Sequence, residues 1–382
     1  MAGSMAAGVA ASGVKGAAGR HYPFVQWDVF SSEKLRGNPL AVFTDARGLS
    51  DSDMAAIARE TNLSETTFIF PREAAVERER GVLVRIFTPR EELPFAGHPT
   101  LGTAMALRSS RLPNAAEIAL ELKSGKIPVA FRTENDGRVF GEMRQKDAEF
   151  GAKHTREAVA PLVGLKADDI ATDLPIQAVS TGSAFVILPL KSLAAIRSVR
   201  MNHAAISEYL GRTGSRNFYC VSRETEDPKA KLHARLVTVG GEDPATGSAG
   251  GCAAAWMVKN GVARSDEQAL IEQGAEVHRP GQIFVRATQQ GEALVNVRVG
   301  GHAVEVIREN IRYNGFTTAV QGAILGTQDA PCQPCAAPSR ALQRSGHVAC
   351  SSPVSPSERW RLPDSACGGR APKPPKLPSS NI

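Results

Sequence analysis

The stretch from Gly240 to Gly251, GGEDPATGSAGG, places two adjacent carboxylates beside backbone that carries only small side chains. Glu242 and Asp243 precede a proline, a glycine–serine turn and an alanine-rich run that predicts a helix. The first amides of a helix have no partner within the helix and favour anions, and small residues leave them accessible. The pattern therefore indicates a place where a small carboxylate-bearing molecule is held.

The same pattern occurs a second time, 150 residues earlier in the chain. VRIFTPREELPFAGHPTLGTAMAL, from Val84, aligns without a gap with ARLVTVGGEDPATGSAGGCAAAWM, from Ala234. The matching pairs are Arg85 and Arg235, Thr88 and Thr238, Glu92 and Glu242, Pro94 and Pro244, Gly97 and Gly247, and Ala104 and Ala254. Such a repeat predicts two related halves with two helix starts, which can face each other across a cleft and hold an anion between them.

The differences between the two copies carry information about chemistry. His98 stands opposite Ser248, and Leu93 stands opposite Asp243. A site that removes a proton on one side and returns it on the other can use this asymmetry. The positive end of a helix disfavours an imidazolium, so we expect His98 to be neutral.

Other charged residues of the repeat are predicted to be structural. Glu92 and Glu242 occur in both copies, and Arg85 and Arg235 occupy the same strand position in each, which argues against a dedicated carboxylate clamp. No phosphate-binding glycine motif follows a strand, so nucleotide dependence is not expected.

The elements that must position these residues are short strands and a few helices. Three helices are predicted, over 50–60, from about 98 to 107 and from just after 247 to a C-cap pair at Asn260-Gly261. Strands are predicted at 24–30, 39–43, 66–70, 82–87, 118–122, 129–132, 179–180, 185–188, 232–239, 283–286, 293–299 and 303–306.

Several motifs together give the chain a resemblance to a known family, the phenazine biosynthesis PhzF family with its diaminopimelate epimerase-like fold. The resemblance spans roughly residues 21–322. The motifs are Gly37-Asn-Pro39, Asn62-Leu-Ser-Glu-Thr-Thr-Phe68, Phe95-Ala-Gly-His-Pro-Thr-Leu-Gly102, Ser180-Thr-Gly182, Glu242-Asp-Pro-Ala-Thr-Gly-Ser248 and Val299-Gly-Gly301.

The resemblance implies an α+β fold of two pseudo-symmetric halves, each a curled, mostly antiparallel sheet around a central helix. We expect the first half at 21–148, completed by a C-terminal strand near 308–322, and the second half at 149–307. Residues 1–20 and 327–382 are predicted to be disordered tails, because they are rich in small, polar or proline residues.

The resemblance also implies site residues and an activity. It implies catalytic roles for Glu65, which moves the proton, and for His98, Asp243 and Ser248. It implies a homodimeric isomerase that needs no cofactor. The cysteine pair of diaminopimelate epimerase and proline racemase is absent, and Cys252 lies about one turn too late to replace it.

Substrate contacts are expected from the amide side chain of Asn38 and from the exposed backbone of Gly97 and Gly247. Three functions remain open from the sequence. The first is an isomerase of the dihydro-hydroxyanthranilate type. The second is an epimerase or racemase of a small hydroxy- or amino acid, and the third is a binding protein on the same scaffold.

Charge and cysteine distribution argue against several other classes. The net charge of +6 resides in the two ends, at +2 for residues 1–20 and +4 for residues 327–382, so nucleic acid is not an expected partner. No run approaches the roughly 18 apolar residues of a membrane span. A cytoplasmic location is expected, with organelle import as the alternative, and the C-x-x-C at Cys332 and Cys335 is interpreted as reduced thiols rather than a metal site.

Overall fold

The computed structural model describes residues 19–313 except 212, 213 and 216. These residues belong to one compact unit. The tail predicted at 327–382, with its cysteines, lies outside the described residues. Of the predicted N-terminal tail, residues 19 and 20 are described, and Arg20 is the first residue of a strand.

The chain alternates eighteen strands with seven helices and three single 3₁₀ turns in the described residues. The helices are α1 Asp51–Thr61, α2 Ala74–Arg80, α3 Gly97–Ser110, α4 Arg156–Val159, α5 Leu193–Arg197, α6 His203–Gly211 and α7 Gly247–Lys259. The strands are β1 Arg20–Val29, β2 Asn38–Phe43, β3 Glu65–Phe70, β4 Val82–Phe87, β5 Glu92–Leu93, β6 Glu117–Leu122, β7 Gly125–Thr133, β8 Val139–Arg144, β9 Glu149–His154, β10 Ile176–Ser180, β11 Ala184–Leu190, β12 Asn217–Ser222, β13 Ala230–Thr238, β14 Gly241–Asp243, β15 Ala269–Gln273, β16 Gly281–Gln290, β17 Ala293–Gly301 and β18 Ala303–Tyr313.

The strand pairings repeat themselves in the two halves. In the first half, β2 and β3 are parallel, β3 and β4 antiparallel, β4 and β6 parallel, and β6, β7 and β8 form an antiparallel run. In the second half, β11, β12, β13, β15, β16 and β17 follow the same sequence of pairings. The predicted pair of pseudo-symmetric halves, each with a mostly antiparallel sheet, is therefore confirmed.

The two halves share their sheets through exchanged strands. The strand β8 pairs with β17, which joins the halves into one continuous sheet. The strand β9, which follows β8 in the chain, pairs with β10 of the second half. The strand β18, which follows β17, pairs along its whole length with β1 of the first half.

The central helices are enclosed by the sheets, and their composition explains how they fit. Helix α7 is built largely from glycine and alanine, and eleven of its thirteen residues are buried. A Cβ atom on Gly251 would lie 1.9 Å from Oε1 of Gln145, and one on Gly250 would lie 3.1 Å from the Ile283 side chain. Small residues are therefore required for the sheet to close around this helix.

Local interactions predicted from the sequence form the repeated supports of the site. Ser50 and Asp53 form a capping box at α1, with the Ser50 amide 2.9 Å from the Asp53 carboxylate. Arg85 forms a bidentate ion pair with Glu92, with hydrogen bonds of 2.8 and 2.6 Å, and Arg235 forms one with Glu242, with hydrogen bonds of 2.9 and 2.7 Å. The arginines thus brace the turns before α3 and α7, as their place in both copies indicates.

None of the described helices is both long and apolar enough to cross a lipid bilayer. The longest, α3, has fourteen residues, which is well short of the roughly 20 that a bilayer requires.

Candidate active site

The N-termini of α3 and α7 meet at Gly97 and Gly247. A Cβ atom on Gly97 would lie 3.0 Å from the amide nitrogen of Ser248 and 3.2 Å from Cα of Gly247. Neither helix start has a side-chain cap hydrogen bond. The structure therefore brings the two predicted helix starts into backbone contact, where their first amides lie side by side and favour an anion.

Glu65 is the first residue of β3, and its parallel neighbour on β2 is Leu40. Its side chain is only 16% exposed, and Oε2 lies 3.4 Å from Nε2 of His98. Burial, reinforced by the nearby charge of Asp243, raises the pKa of Glu65 to about 8. A carboxyl group with this pKa can hold or release a proton near neutral pH, as a general acid–base group must.

His98 is the second residue of α3 and is almost fully buried. Burial lowers the pKa of His98 to about 3, so the imidazole is neutral throughout the physiological range. Nδ1 lies 3.2 Å from the amide nitrogen of Asn38, which can only donate. Nδ1 is therefore the acceptor, and the ring proton lies on Nε2, facing Glu65.

Asp243 is held by two donors, one on each oxygen. The Asn38 amide donates to Oδ1 at 2.6 Å, and the Thr246 hydroxyl donates to Oδ2 at 2.6 Å. Burial raises the pKa of Asp243 to about 6, and these hydrogen bonds oppose the rise. Asp243 is therefore mainly a carboxylate at pH 7. The cap position of α7 is taken by Thr246 rather than by Asp243.

Asn38 joins the two halves of the site. Its amide nitrogen lies close to Asp243, to the Ala245 carbonyl oxygen at 2.9 Å and to His98. Its own Oδ1 is buried and has no hydrogen-bond partner within the described part of the chain. Asn38 thus fixes the orientation of His98 on α3 and of the turn that precedes α7, while its own Oδ1 is left without a partner among the described residues.

The loop before Asn38 is anchored from the other half by a buried ion pair. Arg279 donates to Asp28 at 2.6 Å and to the Gly37 carbonyl oxygen at 2.8 Å. The Leu35 amide donates to the second oxygen of Asp28 at 2.6 Å. Gly37 has a φ of +63°, and a Cβ there would lie 2.2 Å from a backbone oxygen, so glycine is required at this turn.

A buried glutamine, which sequence reasoning missed, supports the Asp243 turn. Gln273 donates to the Asp243 carbonyl oxygen at 2.7 Å and to the Thr246 hydroxyl at 2.9 Å. Its oxygen accepts from the Thr246 amide at 3.2 Å and from the Tyr219 hydroxyl at 2.8 Å. Because Gln273 donates to the Thr246 hydroxyl, that hydroxyl directs its own proton to Asp243. No local sequence signal connects Gln273 with Asp243, thirty residues away.

The start of α7 is held by a second glutamine. Gln145 donates to the Gly247 carbonyl oxygen at 3.0 Å and accepts from the Thr181 hydroxyl at 2.6 Å. Ser248 follows Gly247 and is half-buried beside Gly97. The seven predicted site residues therefore lie together: Asn38, Glu65, Gly97, His98, Asp243, Gly247 and Ser248.

The buried Cys252 thiol is not placed for nucleophilic chemistry at the start of α7. Cys252 is buried one turn into α7, its Sγ lies 3.4 Å from the Ser183 carbonyl oxygen, and burial raises the pKa of its thiol to about 11. Within residues 19–313, apart from the three omitted positions, no three potential metal ligands cluster.

The duplicated sheet-and-helix fold also occurs in solved structures described as a PhzF-family protein and a predicted epimerase. A family model described as "Phenazine biosynthesis-like protein" matches residues 27–309. The chain belongs to this family, which confirms both the resemblance and the fold class predicted from the sequence.

Individual relatives agree with this assignment. The chain is 37% identical to an uncharacterized isomerase of Mesorhizobium japonicum over 294 residues, which is 74% of this chain and 96% of the relative. It is 34% identical over 292 residues to the trans-2,3-dihydro-3-hydroxyanthranilate isomerase of Pseudomonas chlororaphis, covering 76% of this chain and 99% of the relative.

A solved structure shows the same architecture. The PhzF-family phenazine biosynthesis protein of Bacillus anthracis superposes with a TM-score of 0.68 at 28% identity, over 76% of this chain and 99% of that one. The relatives and the fold together identify the chain as an isomerase.

Proposed function

We propose that this protein is a cofactor-independent isomerase that moves a proton on a small carboxylate-bearing metabolite, of the dihydro-hydroxyanthranilate-isomerase type. The main supporting observation is a set of three buried polar atoms without hydrogen-bond partners among the described residues. These atoms are Oε2 of Glu65, Nε2 of His98 and Oδ1 of Asn38. Buried polar atoms are rarely left unpaired, so a bound substrate is the natural partner for this set.

The three atoms differ in what they can do. The Glu65 carboxylate accepts a proton from a carbon atom next to, or conjugated with, the substrate carboxylate. The His98 Nε2–H donates to an oxygen or nitrogen of the substrate, and Asn38 Oδ1 accepts from a hydroxyl or amino group. The substrate therefore carries both donors and acceptors around the carbon that loses its proton.

The helix starts supply electrostatic stabilisation for the negative charge that develops. The amides at Gly97 and Gly247 lie together at the positive ends of two helices. A carboxylate or enolate placed against them is stabilised more as its charge increases, which lowers the barrier to proton removal. Glu65 then returns the proton to another atom of the same molecule.

The arrangement supports one proton carrier rather than two. An epimerase or racemase needs competent acid–base groups on opposite faces of the carbon. Both oxygens of Asp243 already accept strong hydrogen bonds from Asn38 and Thr246, and His98 is held neutral by burial. These contacts favour transfer of the proton between two atoms on one face of the substrate over inversion of configuration at a single carbon.

The direct test is turnover of trans-2,3-dihydro-3-hydroxyanthranilate in heavy water, with L-proline and trans-4-hydroxy-L-proline as competing substrates. We expect isomerisation of the first compound, followed by NMR, with no loss of the α-proton of either amino acid. Exchange of the amino-acid α-proton without turnover of the first compound would support the epimerase function instead.

The raised pKa of Glu65 predicts a specific dependence of kcat/KM on pH. Because the base must be ionised, kcat/KM is expected to rise about tenfold per pH unit and to level off near pH 8. Replacing Asp243 by Asn removes a negative charge that raises the pKa of Glu65. The rising part of the kcat/KM profile is therefore expected to shift to lower pH. The exposed substitution D168N is the matched control and should leave the profile in place. An unshifted limb in D243N would exclude electrostatic coupling of the two carboxyl groups.

A further inference from the structure

A cavity lies where the sheets of the two halves part. The segment β17–β18 pairs with β8 as far as Gly301, opposite Gly141, and from Ala303 onward it pairs with β1. Among the described strands, β8 and β18 are not hydrogen-bonded to each other. A cavity of about 350 Å³ lies between them. Its walls come from β1, β8, β18 and the C-terminal part of α3.

Part of the cavity wall is an indole with an unsatisfied donor. Trp27 is 6% exposed, and its Nε1 has no hydrogen-bond partner among residues 19–313 as described. Met105 and Val139 provide apolar surface beside it. Trp27, Met105 and Val139 therefore give the cavity an apolar wall.

The cavity also contains an arginine whose charge is not neutralised by a described ion pair. Arg108 lies over the Phe131 ring, 5.4 Å from its centre, and its Nε donates to the Ala115 carbonyl oxygen at 3.1 Å. No carboxylate of the described residues pairs with Arg108, and none is among the described residues that line the cavity. Two other lining side chains, Arg138 and His302, lie 3.6 and 3.0 Å from the Glu134 carboxylate.

The C-terminal part of α7 in the second half differs from that of α3. The spacing of the repeat aligns Ser109, on the cavity wall, with Lys259 at the end of α7. The Lys259 ammonium lies over the Phe150 ring, 3.7 Å from its centre. Trp256 of the same helix donates its Nε1–H to the Pro175 carbonyl oxygen at 3.1 Å. The same spacing aligns Arg108 with Val258, so the second half has no cation at this helix position.

We propose that this cavity is a second binding site, for a small organic anion with a flat apolar body. The carboxylate of the ligand pairs with Arg108, and its ring or chain packs against Trp27 and Met105. The volume is that of a small-molecule pocket. Glu65, His98 and Asp243 are not among its lining residues, so the site is separate from the proposed catalytic cleft.

The test uses benzoate as the probe and benzamide as a neutral molecule of the same shape, titrated into the full chain. Benzoate is expected to change the fluorescence of Trp27, and this change should vanish in W27F. The substitution R108M is expected to weaken benzoate binding about tenfold or more, because it removes a charge-assisted hydrogen bond. R111M, at the C-cap of α3 and paired with Glu77 outside the cavity, should bind like the wild type.

Three outcomes would overturn the proposal. These are equal affinity for benzamide and benzoate, equal affinity of R108M and wild type, and displacement of benzoate by inorganic phosphate at similar concentration. The fluorescence of Trp27 separates this site from benzoate bound in the cleft. None of these readouts depends on isomerase activity, so a failure here leaves the proposed function untouched.

Discussion

Glu65→Gln is expected to lower kcat for isomerisation about 10³-fold or more, because the amide keeps the shape of the carboxyl group but cannot accept a proton. Binding of a substrate analogue should change far less, since the helix amides, His98 and Asn38 remain. Single-turnover kinetics with the preferred substrate, together with incorporation of deuterium from solvent, measures the loss. The exposed substitution E60Q is the matched control and should be fully active.

The same substitution is expected to stabilise the folded protein at high pH. Because the pKa of Glu65 is raised from 4.5 to about 8 on folding, the native state binds the extra proton between these values. Ionisation of Glu65 therefore costs stability as the pH rises through 8, whereas below pH 4.5 the carboxyl group is neutral in both states.

At pH 9 we expect E65Q to be more stable than the wild type by roughly 2–4 kcal/mol, and at pH 5 to show a much smaller difference. Chemical denaturation at the two pH values measures this. Retained activity in E65Q would remove Glu65 as the proton carrier. An equal stability difference at both pH values would show that its pKa is not raised.

Glu242→Ala is expected to destabilise the second half strongly. The Arg235 and Glu242 side chains are only 8% and 9% exposed, and Arg235 also donates to the Ile196 carbonyl oxygen at 2.7 Å. Removing the carboxylate leaves a buried guanidinium with only Glu276, at 4.0 Å, as a nearby countercharge. Loss of one partner of a buried ion pair costs about 3–5 kcal/mol, measurable by chemical denaturation at pH 7.

The repeat supplies a matched control for this prediction. Glu92 occupies the same position in the first half, but Arg85 is 21% exposed and keeps Asp51 at 2.5 Å when Glu92 is removed. The substitution E92A should therefore cost only about 1 kcal/mol. In the second half, the double variant R235M/E242L should recover most of the loss, because no charge is left buried. Equal losses in E242A and E92A would contradict the role of burial.

Much of the fold could be predicted because its signals are local. Strand β4 has the bounds expected from its alternating apolar residues, and α3 and α7 begin within one residue of the predicted starts. The repeat predicted that Gly97 and Gly247 would meet and that Asp243 would differ from its counterpart. The place of Glu65 in the site was predicted from the family motif around it, because a lone glutamate at a strand start has no distinguishing pattern.

The remainder depends on contacts between distant parts of the chain. Strands β5, β8, β9, β12, β14 and β15 were not predicted. Three of them, β8, β9 and β15, owe their place to partners that lie far along the sequence. Because Gln273 lies on β15, its support of Asp243 could not be foreseen either. The cavity beside Trp27 arises where the segment β17–β18 changes its pairing partner from β8 to β1. The periodicity of apolar residues in the sequence does not predict such a change.

The pairing of β1 with β18 has a consequence for synthesis. The strand that flanks β1 on its outer edge is the last one described in the chain, nearly three hundred residues later. The N-terminal half therefore emerges from the ribosome with one edge of its sheet unpaired, and an open edge invites pairing with another chain. Translation must pass Tyr313 before this edge can be covered from within the molecule.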